Sequence, residues 1–239
     1  VKWLLMLKWE ARYAERFDHC LVVSPLEGRI LQSANPRLSL SVIENGVDTE
    51  LYRPLECISR NNNLLFVGVM GYPPNVDAIL YFCEKIMPII QRRIIVVGHE
   101  PTPEIRKLAE RGNVIVTGYV ENIVSYYQRS KVTIVPLRGG GGTRLKILES
   151  MALGRPVVST TLGCEGLSVV DGENIMIADT PTEFAERVIQ LLTDKGLRDR
   201  IVHNARRLVE THYDWAVISR KLMKVYDNIS DYSKVRMLD

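Results

Sequence analysis

Residues 132–160 read VTIVPLRGGGGTRLKILESMALGRPVVST. Two short runs rich in β-branched residues, VTIVP and VVST, enclose a helical pattern in which Leu145, Leu148 and Ala152 recur at i, i+3 and i+7. Four more apolar runs, LLFV, IIVV, VIVT and IMIA, occur between residues 64 and 178 and are separated by helical segments. Continuous apolar runs of this kind are typical of parallel strands buried on both faces. The sequence therefore predicts an α/β fold, a doubly wound parallel sheet flanked by helices.

Cap signals place helices around these runs. SPLE at residues 24–27 and TPTE at residues 180–183 each combine a capping hydroxyl, a Pro at the first helical position and a Glu that completes a capping box. The second box predicts a helix that runs to about Leu192. Two further helical patterns follow, over residues 195–211 and 215–229.

The composition limits the classes of function. With 239 residues, 46% of them hydrophobic, the chain can form one large core or two smaller ones, and the Pro- and Asn-marked segment 52–63 predicts a domain boundary. A net charge of +3 argues against a general polyanion binder, so we expect no nucleic-acid partner. The four cysteines are far apart and the four histidines lack metal-ligand spacing. These patterns predict reduced thiols, a cytoplasmic chain and no metal.

The opening stretch, residues 1–17, is apolar but is interrupted by Lys2 and Lys8, too early for a membrane span of about 20 residues. It also lacks the small-residue cleavage site of a signal peptide. Trp3, Trp9 and the neighbouring basic residues fit a helix lying on an anionic membrane surface. A helix packed against a domain is the alternative that we favour.

The glycines of residues 139–142, called the glycine loop below, follow VTIVP at the sheet edge where doubly wound folds bind ligands. Four consecutive glycines cost conformational entropy, which indicates a sharp turn or a close approach to a ligand; a merely flexible loop is the alternative. A P-loop is excluded because Gly-Thr-Arg-Leu-Lys stands where Gly-Lys-Ser/Thr is required. A dinucleotide fingerprint is excluded because GVMGYPPN follows the LLFV strand.

The helix after the glycine loop has basic residues in its first turn, where the helix dipole favours negative charge. Thr143 is the predicted N-cap, and Arg144 and Lys146 add positive charge to a helix end that already carries about half an elementary charge. A bound anion reverses this penalty. The amides of Gly141 and Gly142, the Thr143 hydroxyl and the two cations are therefore the predicted cradle for a diphosphate.

Glu149 lies in the middle of the same helix. It is about 9 Å along the axis from Thr143, at 1.5 Å per residue, which is similar to the distance from a pyrophosphate to a ribose. We interpret Glu149 as a ligand of the ribose hydroxyls. An ion pair with a neighbouring Arg or Lys is the alternative.

Together these motifs resemble the nucleotide-sugar-binding half of glycosyltransferase family 4, which has the GT-B fold. The resemblance rests on PLRGGGGTRLKILESMALGRPVVST, ENGVD, GCEGL and DGEN, and extends from about residue 20 to the end of the chain. It implies two Rossmann-like domains, an acceptor-binding domain followed by a donor-binding one, and transfer with retention and without a metal or cofactor. Residues 1–48 then correspond to a remnant of the acceptor domain with the hinge, residues 49–211 to the donor domain, and residues 212–239 to a crossover helix and tail.

The resemblance also assigns site residues. Glu149 matches the second carboxylate of the family's Glu-x7-Glu motif, and Gly141 stands where the first is usual. The Arg and Lys that many members carry after the first donor-domain strand are absent here, and we infer that Arg144 and Lys146 take over their work on the departing diphosphate as the catalytic residues. Contacts with the nucleotide sugar are expected from Gly68, Gly98, Gly118, Tyr119, Gly141, Gly142, Thr143, Leu145 and Glu149. Tyr72, His99 and Glu100 are weaker candidates, for which ordinary packing or loop positions are the alternatives.

The function that follows from the resemblance is the transfer of a sugar from a nucleotide-diphosphate sugar, UDP rather than GDP, to an acceptor. The acceptor is expected to be a glycan or a lipid-linked glycan in polysaccharide synthesis, bound by the acceptor domain, at the inner face of the membrane. Two alternatives stay open. One is a sugar-nucleotide epimerase of the same fold, and the other is a domain that binds a nucleotide sugar without catalysis.

Overall fold

The computed structural model describes residues 2–55 and 62–236. Contacts between residues divide the chain into two compact units. One is formed by Val1–Gly46 together with His212–Asp239, and the other by Val47–Thr211.

Among its described residues, the smaller unit contains two parallel strands and three helices. In chain order these are α1 (Lys2–Ala14), β1 (Cys20–Val22), α2 (Pro25–Ala34), β2 (Leu40–Val42) and α10 (Trp215–Arg236). Ser24 is the N-cap of α2 as predicted and accepts from the Glu27 N–H at 3.2 Å, while the Glu27 carboxylate accepts from the N–H of Val23, one residue before the cap, at 3.1 Å. No described helix has both the length and the apolar composition to cross a membrane.

The larger unit is built on one parallel sheet. Its strands are β3 (Leu64–Val67), β4 (Ile94–Val97), β5 (Val114–Val116), β6 (Val132–Val135), β7 (Val157–Ser159) and β8 (Met176–Ile177). They lie in the order β5-β4-β3-β6-β7-β8. Every residue of β3, β4, β6 and β7 is buried, because helices cover the sheet, and this is why these strands read as continuous apolar runs. The predicted doubly wound α/β fold is confirmed.

In the described chain, five helices lie between strands of this sheet, and two more follow its last strand. They are α3 (Pro73–Tyr81), α4 (Met87–Ile90), α5 (Pro103–Leu108), α6 (Val124–Gln128), α7 (Leu145–Ala152), α8 (Pro181–Thr193) and α9 (Lys195–Leu208). Thr180 is the N-cap of α8 as predicted, since its hydroxyl accepts from the Glu183 N–H at 3.3 Å, and the same hydroxyl donates to the Glu183 carboxylate at 2.9 Å. Helix α8 extends one residue beyond the predicted end at Leu192.

The segment 52–63 is not the boundary that the sequence analysis predicts, because it lies within the larger unit. The Arg206 guanidinium donates to the carbonyls of Thr49 and Tyr52, at 3.0 and 2.7 Å. The Leu55 N–H donates to the Leu153 carbonyl at 3.3 Å. These bonds anchor a polar stretch that has no periodicity of its own; residues 56–61 lie outside the described part of the chain.

Candidate functional site

The strand order of the sheet reverses between β3 and β6, which is the topological switch point of the fold. From β3 the chain adds β4 and β5 on one side, and then returns to add β6, β7 and β8 on the other. In open α/β sheets such a switch point leaves a crevice outside the carboxyl ends of the strands, and ligands bind there. Gly68 follows β3 and the glycine loop follows β6, so both face this crevice.

The predicted glycines Gly68, Gly98 and Gly118 are brought together at this edge. The Gly68 N–H donates to the Val97 carbonyl at 3.0 Å, and the Gly98 N–H donates to the Gly118 carbonyl at 3.2 Å. Gly98 has a φ of 151°, and a Cβ built on it would lie 1.6 Å from the Gly68 carbonyl oxygen. Because no side chain fits in that space, the backbones after β3 and β4 can approach each other closely.

The glycine loop alternates in backbone conformation. Gly140 and Gly142 have positive φ angles of 97° and 84°, whereas Gly139 and Gly141 do not have positive φ. Positive φ angles at alternate residues are also a feature of the concave nests of backbone N–H groups that bind anions. A Cβ on Gly141 would meet no atom within 4 Å, so the position that lacks the expected carboxylate has room for one.

The N-cap of α7 differs from the prediction. The Leu145 N–H donates to the Thr143 carbonyl at 3.1 Å, and this turn delays the helix so that Arg144, not Thr143, is the N-cap. No side chain caps α7. The prediction of Thr143 as the cap is therefore wrong, and its hydroxyl is left for other partners.

Arg144 is buried and folds back on the glycine loop. Its Nη2 donates to the Gly140 carbonyl at 2.8 Å and its Nη1 donates to the Gly141 carbonyl. In a trans peptide the C=O and the following N–H point in opposite directions, so these two bonds turn the N–H groups of Gly141 and Gly142 away from the guanidinium. Within the described chain, no backbone N–H from Gly139 to Arg144 donates to a protein acceptor.

The charge of Arg144 is only weakly compensated. Burial lowers the pKa of the guanidinium, and Tyr72 and Glu165 act in the opposite direction. An arginine stays protonated under such conditions. Arg144 Nε is buried and has no hydrogen-bond partner in the described chain, so the site contains a positive charge that an anion can stabilise.

Lys146 points toward the loop after β3. Its Nζ donates to the Asn75 Oδ1 at 3.0 Å and lies 4.3 Å from the centroid of the Phe66 ring. Burial and the neighbouring Arg144 lower the pKa of Lys146 to about 7, and Glu149 partly opposes this. Among the described residues, no carboxylate pairs with this ammonium within 4.0 Å.

Glu149 is contacted by Tyr127 of α6. The Tyr127 hydroxyl lies 3.5 Å from Glu149 Oε2, and Tyr127 is completely buried. Burial raises the pKa of Glu149, while Tyr127 and Lys146 lower it. The alternative of an ion pair is not found, since no described Arg or Lys lies within 4.0 Å of this carboxylate. Its role as a ribose ligand stays a prediction.

A family model described as Glycosyl transferases group 1 matches residues 61–194. The chain belongs to this family. Its architecture is that of a GT-B glycosyltransferase, while the narrower assignment to family 4 stays a prediction.

Three similar proteins illustrate the relationship. The phosphatidyl-myo-inositol mannosyltransferase of Mycolicibacterium smegmatis is 27% identical over 203 residues, which are 79% of this chain and 52% of that protein. The capsular polysaccharide biosynthesis glycosyltransferase CapM of Staphylococcus aureus is 30% identical over 122 residues, 50% of this chain and 32% of that protein. The structure of HepE from Anabaena in complex with UDP has a TM-score of 0.78 and 18% identity, over 93% of this chain and 67% of that one. The group 1 chain thus spans about half the length of the mannosyltransferase.

The remaining predicted site residues of this group 1 family member are exposed. Tyr119 is 74% exposed, and Leu145 is 44% exposed beside the N-cap. His99 Nδ1 lies 3.7 Å from a Glu100 carboxylate oxygen, and both side chains are largely exposed. The Tyr72 hydroxyl would lie 3.3 Å from a Cβ on Gly140, which places it against the glycine loop.

Asn75 is the residue of the site that the sequence analysis missed. It is buried in the first turn of α3 and contacts Lys146 across 71 positions of sequence. The available signal was a polar side chain directly after Pro73 and Pro74 in the stretch that follows β3, on a helix that packs on the sheet.

Proposed function

We propose that this chain is the donor-binding part of a glycosyltransferase that transfers a sugar from a nucleotide-diphosphate sugar, with UDP as the nucleotide. The observation that carries the proposal is the arrangement at the N-terminus of α7. Free loop amides, the buried Arg144 and the Lys146 ammonium without a carboxylate partner lie on one side, and Glu149 lies further along the helix. The structure of HepE with UDP, which has a similar fold, supports the choice of nucleotide.

In this proposal, the diphosphate binds to the amides of Gly141 and Gly142 and to Lys146. When the bond between sugar and diphosphate breaks, negative charge develops on the departing phosphate oxygen. Preorganised N–H groups and cations stabilise that charge at little cost of reorganisation, because they are already oriented before the reaction. Arg144 contributes through the carbonyls that it holds and through its own charge.

The ribose hydroxyls bind Glu149, whose second oxygen is oriented by Tyr127. The nucleobase and sugar lie over the loops that contain Gly98, Gly118 and Tyr119. We propose transfer with retention of configuration, without a metal or another cofactor, as in the family that the sequence resembles.

The acceptor in this proposal is a glycan or a lipid-linked glycan. The names of two relatives, a phosphatidyl-myo-inositol mannosyltransferase and a capsular polysaccharide glycosyltransferase, support this class. We also propose a cytoplasmic location with a peripheral contact at the inner face of the membrane. The exposed side chains of Leu5, Met6, Trp9 and Tyr13 support that contact, because they lie on the face of α1 opposite the buried Ala11.

A second candidate function is nucleotide-sugar binding without catalysis. The observation that favours it is Gly141, which provides no carboxylate toward the donor sugar although the space for one is open. The same absence counts against an epimerase, which requires carboxylates near the sugar.

Calorimetric titration of this chain with UDP, GDP and uridine tests the proposal. We expect UDP to bind more tightly than GDP or uridine, and Lys146→Met and Glu149→Gln to weaken UDP binding by at least about tenfold, or 1.4 kcal/mol. Glu186→Gln is the matched control, because Glu186 is exposed on α8. Equal affinities for UDP and uridine, or no binding of either by the wild-type chain, would contradict the proposed site.

A further inference from the structure

The side chain of Asn75 is fixed at both ends. Its Nδ2 donates to the Val69 carbonyl at 2.9 Å, and its Oδ1 accepts from Lys146 Nζ at 3.0 Å. A carbonyl can only accept and an ammonium can only donate, so the amide has a single orientation that satisfies both partners. Asn75 is 7% exposed, so water does not readily replace either bond.

Among the described side chains, Asn75 is the one to which Lys146 Nζ donates a hydrogen bond. The amine also lies over the face of the Phe66 ring and beside the backbone of Gly68, where a Cβ would lie 2.9 Å from Nζ. The titratable groups around this amine are Arg144 at the N-cap of α7, Glu149 on α7, and Tyr127 on α6, whose hydroxyl lies 3.5 Å from the Lys146 carbonyl. The groups that α3 and β3 place next to this amine are uncharged: the amide of Asn75 and the ring of Phe66.

The N-terminus of α3 itself cannot bind the anion in place of Lys146. Pro73 and Pro74 occupy its first positions and have no N–H, and the next two N–H groups, of Asn75 and Val76, both donate to the Tyr72 carbonyl. The first turn of α3 therefore contributes a side-chain oxygen to the site and no free backbone donor. That oxygen accepts from Lys146 Nζ and so determines where this ammonium is held.

We propose that Asn75 is a positioning residue, which fixes both the place and the charge of the Lys146 amine at the edge between β3 and β6. The proposal rests on the function proposed above, in which a diphosphate meets this amine. Because one hydrogen of the ammonium is bound to Oδ1, the other two are left for the ligand and for the aromatic face. An amide suits this role, since a carboxylate at position 75 would neutralise the cation and compete with the ligand.

Titration of the lysine side chains by NMR of protein labelled with 13C at the ε-carbon tests this without a ligand. Because burial lowers the pKa of Lys146 to about 7, from the ordinary lysine value of 10.5, we expect its signal to titrate apart from those of exposed lysines, and Lys146→Met identifies it. We expect Asn75→Leu to lower its titration midpoint by about one pH unit and Asn75→Asp to raise it by at least as much. Asp77→Asn is the matched control on the same helix, because Asp77 pairs with Arg138 and not with Lys146.

A second arm measures UDP affinity from pH 6 to pH 9. In the wild-type chain the affinity falls as Lys146 loses its proton, and in Asn75→Leu this fall begins at a lower pH. Asn75→Asp binds UDP at least about tenfold more weakly at pH 6, although Lys146 is then fully charged. Thermal unfolding of each variant identifies any that fails to fold, and Asn75→Ser provides a smaller side chain that keeps an oxygen.

The outcomes separate the two proposals. If the lysine signal titrates alike in the wild type, Asn75→Leu and Asn75→Asp, the positioning role is wrong whatever UDP does. If the lysine signal moves as expected but no variant, including the wild type, binds UDP, the positioning of Lys146 stands and the proposed function of the site is contradicted.

Discussion

Gly98 and Gly68 approach so closely that a Cβ on Gly98 would lie 1.6 Å from the Gly68 carbonyl oxygen. The neighbour is backbone at the end of a buried strand, so it cannot move aside as a flexible side chain could. We expect Gly98→Ala to destabilise the larger unit by about 3 kcal/mol or more, the range reached by severe steric changes in a core. Urea unfolding followed by circular dichroism measures this change.

Gly118→Ala is the matched control for that variant. Gly118 also has a positive φ, of 71°, but a Cβ on it would meet no atom within 4 Å. The strain of the left-handed backbone alone costs about 1–2 kcal/mol. Equal losses of stability in the two variants would show that the contact with Gly68 has no energetic consequence.

The glycine loop gives a prediction about binding. Gly142→Ala forces a side chain into a positive φ of 84°, which opposes the backbone conformation that the loop adopts at this position. Gly141→Ala has neither a positive φ nor a neighbour within 4 Å. We expect Gly142→Ala to weaken UDP binding by at least about tenfold and Gly141→Ala to change it less than threefold, as measured by calorimetry. A larger loss of UDP affinity in Gly141→Ala than in Gly142→Ala would mean that the amides do not bind the diphosphate.

The strands could be predicted from the sequence because burial on both faces requires a continuous run of apolar residues, which is visible within each strand. The contacts of the site could not, because they join distant positions. Asn75 and Lys146 are 71 positions apart, and Arg206 holds Tyr52 across 154 positions. The wrong boundary at 52–63 follows directly from that second contact. The prediction of Thr143 as the N-cap failed for a local reason. The turn after Gly142 moves the start of α7 by one residue, and residue preferences at the N-cap do not detect such a shift.

Arg206 gives a prediction about stability. Its guanidinium donates to the carbonyls of Thr49, Tyr52 and Ala152, at distances from 2.7 to 3.0 Å, and also pairs with Glu210. Removing it leaves three carbonyls without this donor, and a hydrogen bond to a charged group contributes about 1.5–3 kcal/mol net of the exchange with water; because Arg206 is only partly buried, water can replace some of these bonds in the variant. We expect Arg206→Ala to lower the free energy of unfolding by about 2–4 kcal/mol, and the exposed Arg207→Ala to change it by less than about 0.5 kcal/mol. A loss below 1 kcal/mol for Arg206→Ala would mean that water replaces these bonds.

The exposed face of α1 gives a prediction about membranes. Trp9 is 63% exposed and stacks on Tyr13, with 4.8 Å between the ring centroids, and Arg16 lies over the Tyr13 ring. Aromatic and basic side chains on one exposed face favour an anionic lipid surface. We expect the chain to sediment with vesicles that contain anionic phosphatidylglycerol and not with neutral phosphatidylcholine vesicles, and Trp9→Ala to lose this binding. Met223→Ala, on the exposed surface of α10, is the control. Absence of the wild-type chain from both vesicle pellets would contradict the membrane contact.

The Glu149 carboxylate is expected to lower the stability of the folded protein at neutral pH and to strengthen UDP binding. Burial raises its pKa above the ordinary value of 4.5, so the folded protein keeps the proton at pH values where the unfolded chain has released it. Stability therefore falls as the pH rises through that window, and a neutral glutamine removes this loss. We expect Glu149→Gln to unfold at a higher urea concentration than the wild type at pH 7, with a gain that shrinks below pH 4.5, while its UDP affinity falls at least about tenfold. A variant that is both less stable and unchanged in UDP affinity would mean that the carboxylate is structural, and that the ribose binds elsewhere.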